Sequence, residues 1–452
     1  WLQTNTTSPV TRTPLTLSDL TPNRSLKETI ELITSGYSDS KDSDNDQNSK
    51  NEQNEEIDVD MQDIRSEIDI ELKVLGGDIW VNVIPPERGE RLPCDICCVV
   101  DVSGSMGEEA TLKNEEGGVE GFGLSLLDVT KHAVKTIVMN LEVRDRLSLV
   151  VYSSQARVVF DLMRMDERGK ERALAALESL VPGGQTNIWD GLAKGLDTLK
   201  DGLGEAKKHA LLLFTDGLPN IVPPRGEVKM LQRYKVRNKI EFPCTVDTFG
   251  FGYSLDSGLL NQLALEGQGA YAFIPDSSLV GTVFVNALTN ILTTTASHAV
   301  LNLESEYVSF TKMLGNPPGK LSDHKVVIDI GDIRYGQPRS FIIQADIPYG
   351  TEQNISAQLE YRDIFSGQMT NVETIPSSYL EDNTEFERQK FRLSFIEGLR
   401  DALRISRDLS SSQEIIENLI NMFNESSLID DEYVSDLFAD LDGQVREAFS
   451  RI

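Results

Sequence analysis

Residues 93–295 alternate short apolar runs with longer stretches of helical periodicity, and this alternation restricts the fold more than any other feature of the chain. DICCVVDV, RLSLVVYS, HALLLFTD, TVDTFGFG and AYAFIPD have the length and composition of strands buried on both faces. Between them, LSLLDVTKHAVKTIVMNL sets Leu126, Leu127, Ala133, Val134, Ile137, Val138 and Leu141 on one helical face. ERALAALESL, IWDGLAKGLDTLKDGL, DSGLLNQLALEG and LVGTVFVNALTNIL repeat the pattern. Buried strands joined through helices form an open, doubly wound, mostly parallel sheet with helices on both sides.

The flanks follow other periods. IDIELKVLGGDIWVNVIPP reads as two half-buried strands around a Gly-Gly turn. SHAVLNLES, HKVVIDIG, RSFIIQADIP, NISAQLEYRD and GQMTNVETI read as further strands. Together they predict a β-sandwich into which the α/β region is inserted. From Glu385 the pattern is helical, with stripes at Phe391, Phe395, Leu399 and Leu403, at Ile415, Ile416, Leu419, Ile420 and Phe423, and at Val434, Phe438, Leu441, Val445 and Phe449. The expected division is a mostly disordered acidic and polar segment (1–64), first sandwich strands (65–92), the α/β domain (93–295), the rest of the sandwich (296–380) and a helical region (381–452).

Composition narrows the function classes. The 452 residues carry a formal charge of −29, which disfavours nucleic acid and anionic membranes as partners. The best membrane-span candidate, VFVNALTNIL, is about half the roughly 20 residues required and contains two Asn. SDSKDSDNDQNSKNEQNEE has no apolar residue, as expected of a solvated linker. Asp42, Asp44 and Asp46 imitate the start of a calcium loop, but Gln47 and Gln53 stand where glycine and glutamate are needed. Cys94, Cys97, Cys98 and Cys244 are the four cysteines. In a strand, Cys97 faces away from Cys94 and from Cys98, so core packing is expected rather than a shared metal. Triplets of glycosylation type occur at Asn5, Asn23, Asn354 and Asn424, but no secretory leader is visible. The expected location is cytoplasmic, with secretion the alternative.

The candidate site follows the first buried strand, where DVSGSMG places Asp101, Ser103 and Ser105 on alternate positions. Alternate residues of an extended segment point the same way. PGGQTNIWDGL adds Thr186 in a Gly-rich loop before a helix, and LLLFTDGLPN adds Asp216 at another strand end. Ligands of open α/β sheets bind beyond the carboxyl ends of the strands, and five oxygen side chains meeting there suit a hard cation.

DVSGSMG, GGQTNI and FTDG together resemble the three segments of the metal-ion-dependent adhesion site of von Willebrand factor A domains, and the likeness runs from about Cys94 to Thr295. The flanks resemble members joined to RING, U-box or Hedgehog–intein-type modules. The resemblance implies a non-enzymatic, Mg²⁺- or Mn²⁺-dependent module that captures a carboxylate from a partner protein. It implies that Ser103 and Ser105 bind the ion through their hydroxyls, Thr186 directly or through water, and Asp101 and Asp216 mostly through water. In that family the last helix shifts when a partner binds; here LVGTVFVNALTNIL is expected either to shift in that way or to be clamped by the sandwich so that the module binds without switching. One departure is EEATLKNEEGGVEGFG (residues 108–123), an acidic, Gly-rich insertion at the metal face. It is read as a tolerated surface loop, or as a flap whose Glu108, Glu109, Glu115 or Glu116 competes for the ion.

A hydrolase would need a general base near the metal, and His132, His209, His298 and His324 all lie outside the three segments. No phosphate-binding loop occurs. The alternative function is the substrate-recruiting part of a ubiquitin ligase. Four cysteines are too few for a RING's two zinc sites, so the ligase module is expected outside this chain.

Overall fold

The computed structural model describes residues 67–113, 119–202, 208–238, 244–252, 254–274, 280–351, 354–376, 383–405, 408–426, 428–446 and 449. The acidic N-terminal segment, its calcium-loop imitation, and Glu115 and Glu116 lie outside them. The described residues fall into two compact units. One runs from Glu90 to Thr293; the other joins the residues up to Gly89 to those from Thr294 onward.

The first unit is built on β3 (Cys94–Asp101), which is buried along its whole length. Cys94, Ile96, Cys98 and Val100 enter one hydrophobic core, while Cys97 and Val99 enter a second on the opposite face. All four cysteines are free and buried, and burial pushes their thiols above the ordinary value. β3 pairs in parallel with β6 (Arg146–Tyr152) and β8 (Lys208–Thr215). β9 (Thr245–Phe251) and β10 (Gln268–Ile274) continue the parallel sheet, and β7 (Ala156–Arg164) closes the other edge antiparallel to β6. The order is β10-β9-β8-β3-β6-β7.

Helices cover both faces. α1 (Leu126–Asn140), α2 (Glu167–Glu178) and α6 (Val280–Leu292) supply Val134, Leu177 and Phe284 to the first core. α3 (Ile188–Asp201), α4 (Glu227–Asn238) and α5 (Ser257–Glu266) supply Leu196, Leu231 and Leu263 to the second. α1 starts where Ser125 and Asp128 form a capping box. α3 rides close on the sheet, because a Cβ at Gly195 would meet Val99 Cγ2 at 2.5 Å. In place of a plain insertion loop, β4 (Glu109–Lys113) and β5 (Val119–Ser125) form an antiparallel hairpin whose base pairs Glu109 with Ser125.

The second unit is a sandwich. β1 (Asp69–Leu75) and β2 (Asp78–Ile84) form a hairpin, and β2 pairs with β15 (Arg339–Asp346), which pairs with β12 (Ser309–Met313). The facing sheet has the order β13 (Gly319–Ser322), β14 (Lys325–Arg334), β11 (Thr294–Glu304), β16 (Ser356–Asp363) and β17 (Met369–Thr374). Leu72, Val81, Leu301, Ile328, Ile343 and Leu359 share the core between them. Trp80 points out of that core and meets Phe386 of α7 (Thr384–Arg404), their ring centroids 6.0 Å apart. α8 (Leu409–Asn424) and α9 (Glu432–Asp440) pack on α7 around Phe423 and Val434. Leu403, expected within the stripe of α7, is exposed. The α/β unit is thus inserted in the chain between β2 and β11, and a helical region ends the fold.

Candidate metal centre

β3 and β8 lie side by side and end together, which brings Asp101 beside the loop that starts at Asp216. The three loops are fastened to one another by backbone bonds. Gly183 N donates to Val102 O at 2.7 Å, and Gly104 N to Gly184 O at 3.0 Å. Gly184 has φ +88°, a conformation glycine adopts without strain. Asn220 N donates to Thr186 O at 3.1 Å, while Thr186 N donates to Asn220 Oδ1 at 2.7 Å.

The side chains then converge. Ser103 Oγ and Ser105 Oγ are 3.2 Å apart, and Ser105 Oγ donates to Asp216 Oδ1 at 3.0 Å. Asp101 accepts from Ser103 N at 2.8 Å and from Thr215 Oγ1 at 2.7 Å. A Cβ built on Gly217 would lie 3.7 Å from Ser105 Oγ and 3.9 Å from Thr186 Oγ1, so both hydroxyls border the same small space. Asp101, Ser103, Thr186 and Asp216 are buried, and Ser105 is half-buried. All five residues singled out in the sequence are therefore brought to one end of the sheet. Glu109 is tied to the base of its own hairpin, with Oε1 accepting from Gly123 N at 2.9 Å.

The electrostatics are those of a site short of positive charge. Burial raises the pKa of Asp101, although its hydrogen bonds oppose the shift. Burial, then the charge of Asp101, pushes Asp216 up to about 6, and Glu108 adds to the rise. Among the described residues no three His, Cys, Asp or Glu side chains gather as a metal cluster, because hydroxyls make up the rest of this donor set. Two buried, mutually repelling carboxylates beside three hydroxyls fit a hard divalent cation by charge and by donor chemistry.

Sequence reasoning missed Thr215 and Asn220, which hold the loops together, and Tyr152, whose hydroxyl donates to Phe214 O at 3.4 Å beneath the site. Thr215 and Asn220 stand inside the segment LLLFTDGLPN, so the signal was present, but their roles depend on partners far away in the chain.

The doubly wound sheet and its loops define a von Willebrand factor type A domain. The family model of that description matches residues 96–218, and this chain carries such a domain. The chain is 27% identical to inter-alpha-trypsin inhibitor heavy chain H2 of Mesocricetus auratus over 217 residues, 46% of this chain and 21% of that one. It thus spans about a fifth of that relative's length. An uncharacterized Synechocystis protein, sll0103, is 25% identical over 64% of this chain and 66% of its own. Among solved structures, a von Willebrand factor type A protein from Catenulispora acidiphila superposes with a TM-score of 0.60 at 17% identity, over 82% of this chain and 89% of that one. The ArnB paralog VWA2 from Sulfolobus acidocaldarius gives 0.50 at 15% identity, over 83% and 98%. These two likenesses concern the fold. A second family model, described as the U-box domain, matches residues 1–34. That match lies within the chain, where the sequence reading had set the ligase module outside it.

Proposed function

We propose that the unit from Glu90 to Thr293 is a Mg²⁺- or Mn²⁺-dependent protein-binding module, an adhesion, scaffold or adapter element that captures a partner's carboxylate. The observation that carries this reading is the convergence of Asp101, Ser103, Ser105, Thr186 and Asp216, with two buried carboxylates held beside three hydroxyls. Ser103 and Ser105 would hold the ion through their hydroxyls, Thr186 directly or through water, and Asp101 and Asp216 mostly through water. The bound cation supplies a Lewis-acidic position that neutral hydroxyls leave largely uncompensated, so an acidic protein can accept an acidic partner. Thr215 and Asn220 keep the three loops in register. The reading is non-enzymatic, since no histidine belongs to the three loops and His209 sits beside Asp95, at the other end of β3.

Calorimetry tests it. One Mg²⁺ or Mn²⁺ site is expected, and Asp101→Ala abolishes the heat of binding while circular dichroism shows the fold intact. An unchanged titration in that variant overturns the assignment. A pull-down in Mg²⁺ set against one in EDTA then identifies the partner.

The U-box match favours a second reading, in which this chain is the substrate-recruiting part of a ubiquitin ligase and its α/β unit holds the substrate. The match also supports a cytoplasmic location over the secreted alternative. Ubiquitin transfer by the whole chain with a conjugating enzyme tests it; no transfer, with the metal site still active, leaves the adapter reading alone.

A further inference from the structure

The helix α4 runs against the charge of the whole protein. Its sequence, EVKMLQRYKVRN, carries four cations and one carboxylate in a chain of net charge −29. The single carboxylate, Glu227, is buried. Lys229, Arg233 and Arg237 follow one another at intervals of four and form one stripe on the helix, and Arg225, in the turn before it, lines the same groove. None of these four has an ion-pair partner among the described residues. Two nearby carboxylates have other partners: Glu266 takes Lys235 at 3.2 Å, and Asp197 accepts from Tyr234 Oη at 2.9 Å.

The stripe lines a groove of about 680 Å³ whose other wall includes Trp189 of α3. Met230 and Val236 add apolar surface, and Val236 is 77% exposed. None of the five residues of the metal centre lines the groove. Successive cations in the stripe rise about 6 Å along the helix. Alternate residues of an extended polypeptide repeat at roughly 6.6–6.8 Å, so carboxylates at every second position keep pace with the stripe.

We propose that this groove binds an extended acidic segment of a partner polypeptide, with carboxylates on alternate residues facing Lys229, Arg233 and Arg237, a further carboxylate meeting Arg225 at the end of the groove, and the intervening backbone lying against Trp189. The site works without a divalent cation, which separates it from the carboxylate capture proposed above. It gives an acidic protein two chemically different ways to hold acidic partners, one through a metal and one through its own guanidinium and ammonium groups.

The test is fluorescence polarisation of a labelled peptide of alternating aspartate and serine, titrated with the whole chain in EDTA. Micromolar binding that weakens as salt is raised is expected, and an all-serine peptide of the same length does not bind. Arg233→Glu with Arg237→Glu lowers the affinity by about tenfold or more. The Mg²⁺ titration and circular dichroism of that variant match those of the parent, which excludes misfolding. Trp189→Ala lowers affinity by a smaller factor. Three results overturn the proposal: no binding of the aspartate peptide, binding indifferent to the charge reversals, or tighter binding of a single-stranded oligonucleotide than of the peptide.

Discussion

Strand β3 carries a fully buried aspartate near each end, Asp95 and Asp101, and the protein treats them in opposite ways. Asp95 receives a two-pronged bond from Arg146, at 2.7 Å from Nε and 2.6 Å from Nη2, with His209 Nδ1 at 3.2 Å. Burial alone raises its pKa, but His209 and Arg146 outweigh burial and hold it below the ordinary value. Its neighbour Asp145 is likewise tied to Arg91 and to the backbone of Cys94 and Glu142. Asp101 is bound by hydroxyl and amide groups, and its pKa is raised. The carboxylates at the amino end are paired with the chain's own cations, whereas Asp101 and Asp216 at the carboxyl end have no ion pair among the described residues, a deficit that the proposed cation would relieve.

The largest effect is expected at the amino end. Arg146→Met leaves Asp95 buried without its guanidinium and lowers unfolding free energy by about 3–5 kcal/mol, whether or not Mg²⁺ is present. A urea titration reads it, and a loss under about 1 kcal/mol would break the contrast. At the carboxyl end, Asp101→Asn keeps the shape; its amide oxygen still accepts from Ser103 N, and its amide N–H donates to Thr215 Oγ1, a hydroxyl that can turn to accept. Mg²⁺ affinity falls by about 10–100-fold, while stability in EDTA stays at the parent value or above it. A loss of stability comparable to that of Arg146→Met would make Asp101 a structural group.

The two ends also titrate with opposite sign. The pKa of Asp216 is raised from the ordinary 3.8 to about 6, so without a cation the folded state holds a proton that the unfolded state has released. Its contribution to stability therefore declines as pH rises from about 4 to 6. Asp95 is depressed, so its contribution is present above the unfolded value and is lost as pH falls through the folded one. Melting temperatures in EDTA should show both limbs. Asp216→Asn flattens the decline on the way to pH 6, and Mg²⁺ restores stability above it. A decline that persists in that variant assigns it to other groups. The smallest effect belongs to Glu109→Gln, which weakens one exposed bond to Gly123 by under about 1 kcal/mol and leaves Mg²⁺ affinity unchanged. A rise in affinity would return Glu109 to the role of competitor.

The buried strands and the five site residues were legible because each carries its signal locally, as an apolar run or as a short motif at a strand end. What escaped the sequence lacks such a signal. α4 presents only a narrow apolar face, with Val228 and Leu231 among charged neighbours, so its period is weak. β7 is a half-buried edge strand without clean alternation. The 109–125 hairpin is acidic and Gly-rich, and pairing across its base, rather than composition, makes it a strand pair. Thr215 and Asn220 matter through contacts with residues distant in sequence, which no local pattern records.

The insertion of one unit inside the other has a consequence in time. Val83 pairs with Arg339, roughly 250 residues further on. At about 5–20 residues per second, a ribosome needs on the order of 10–50 s to supply that partner. For most of that interval, while the α/β unit is being made, Ile79, Val81 and Val83 have neither β15 beside them nor the facing strands of the sandwich over them. The sandwich is the later of the two to close, and the hairpin that opens it must be sheltered from other chains until then.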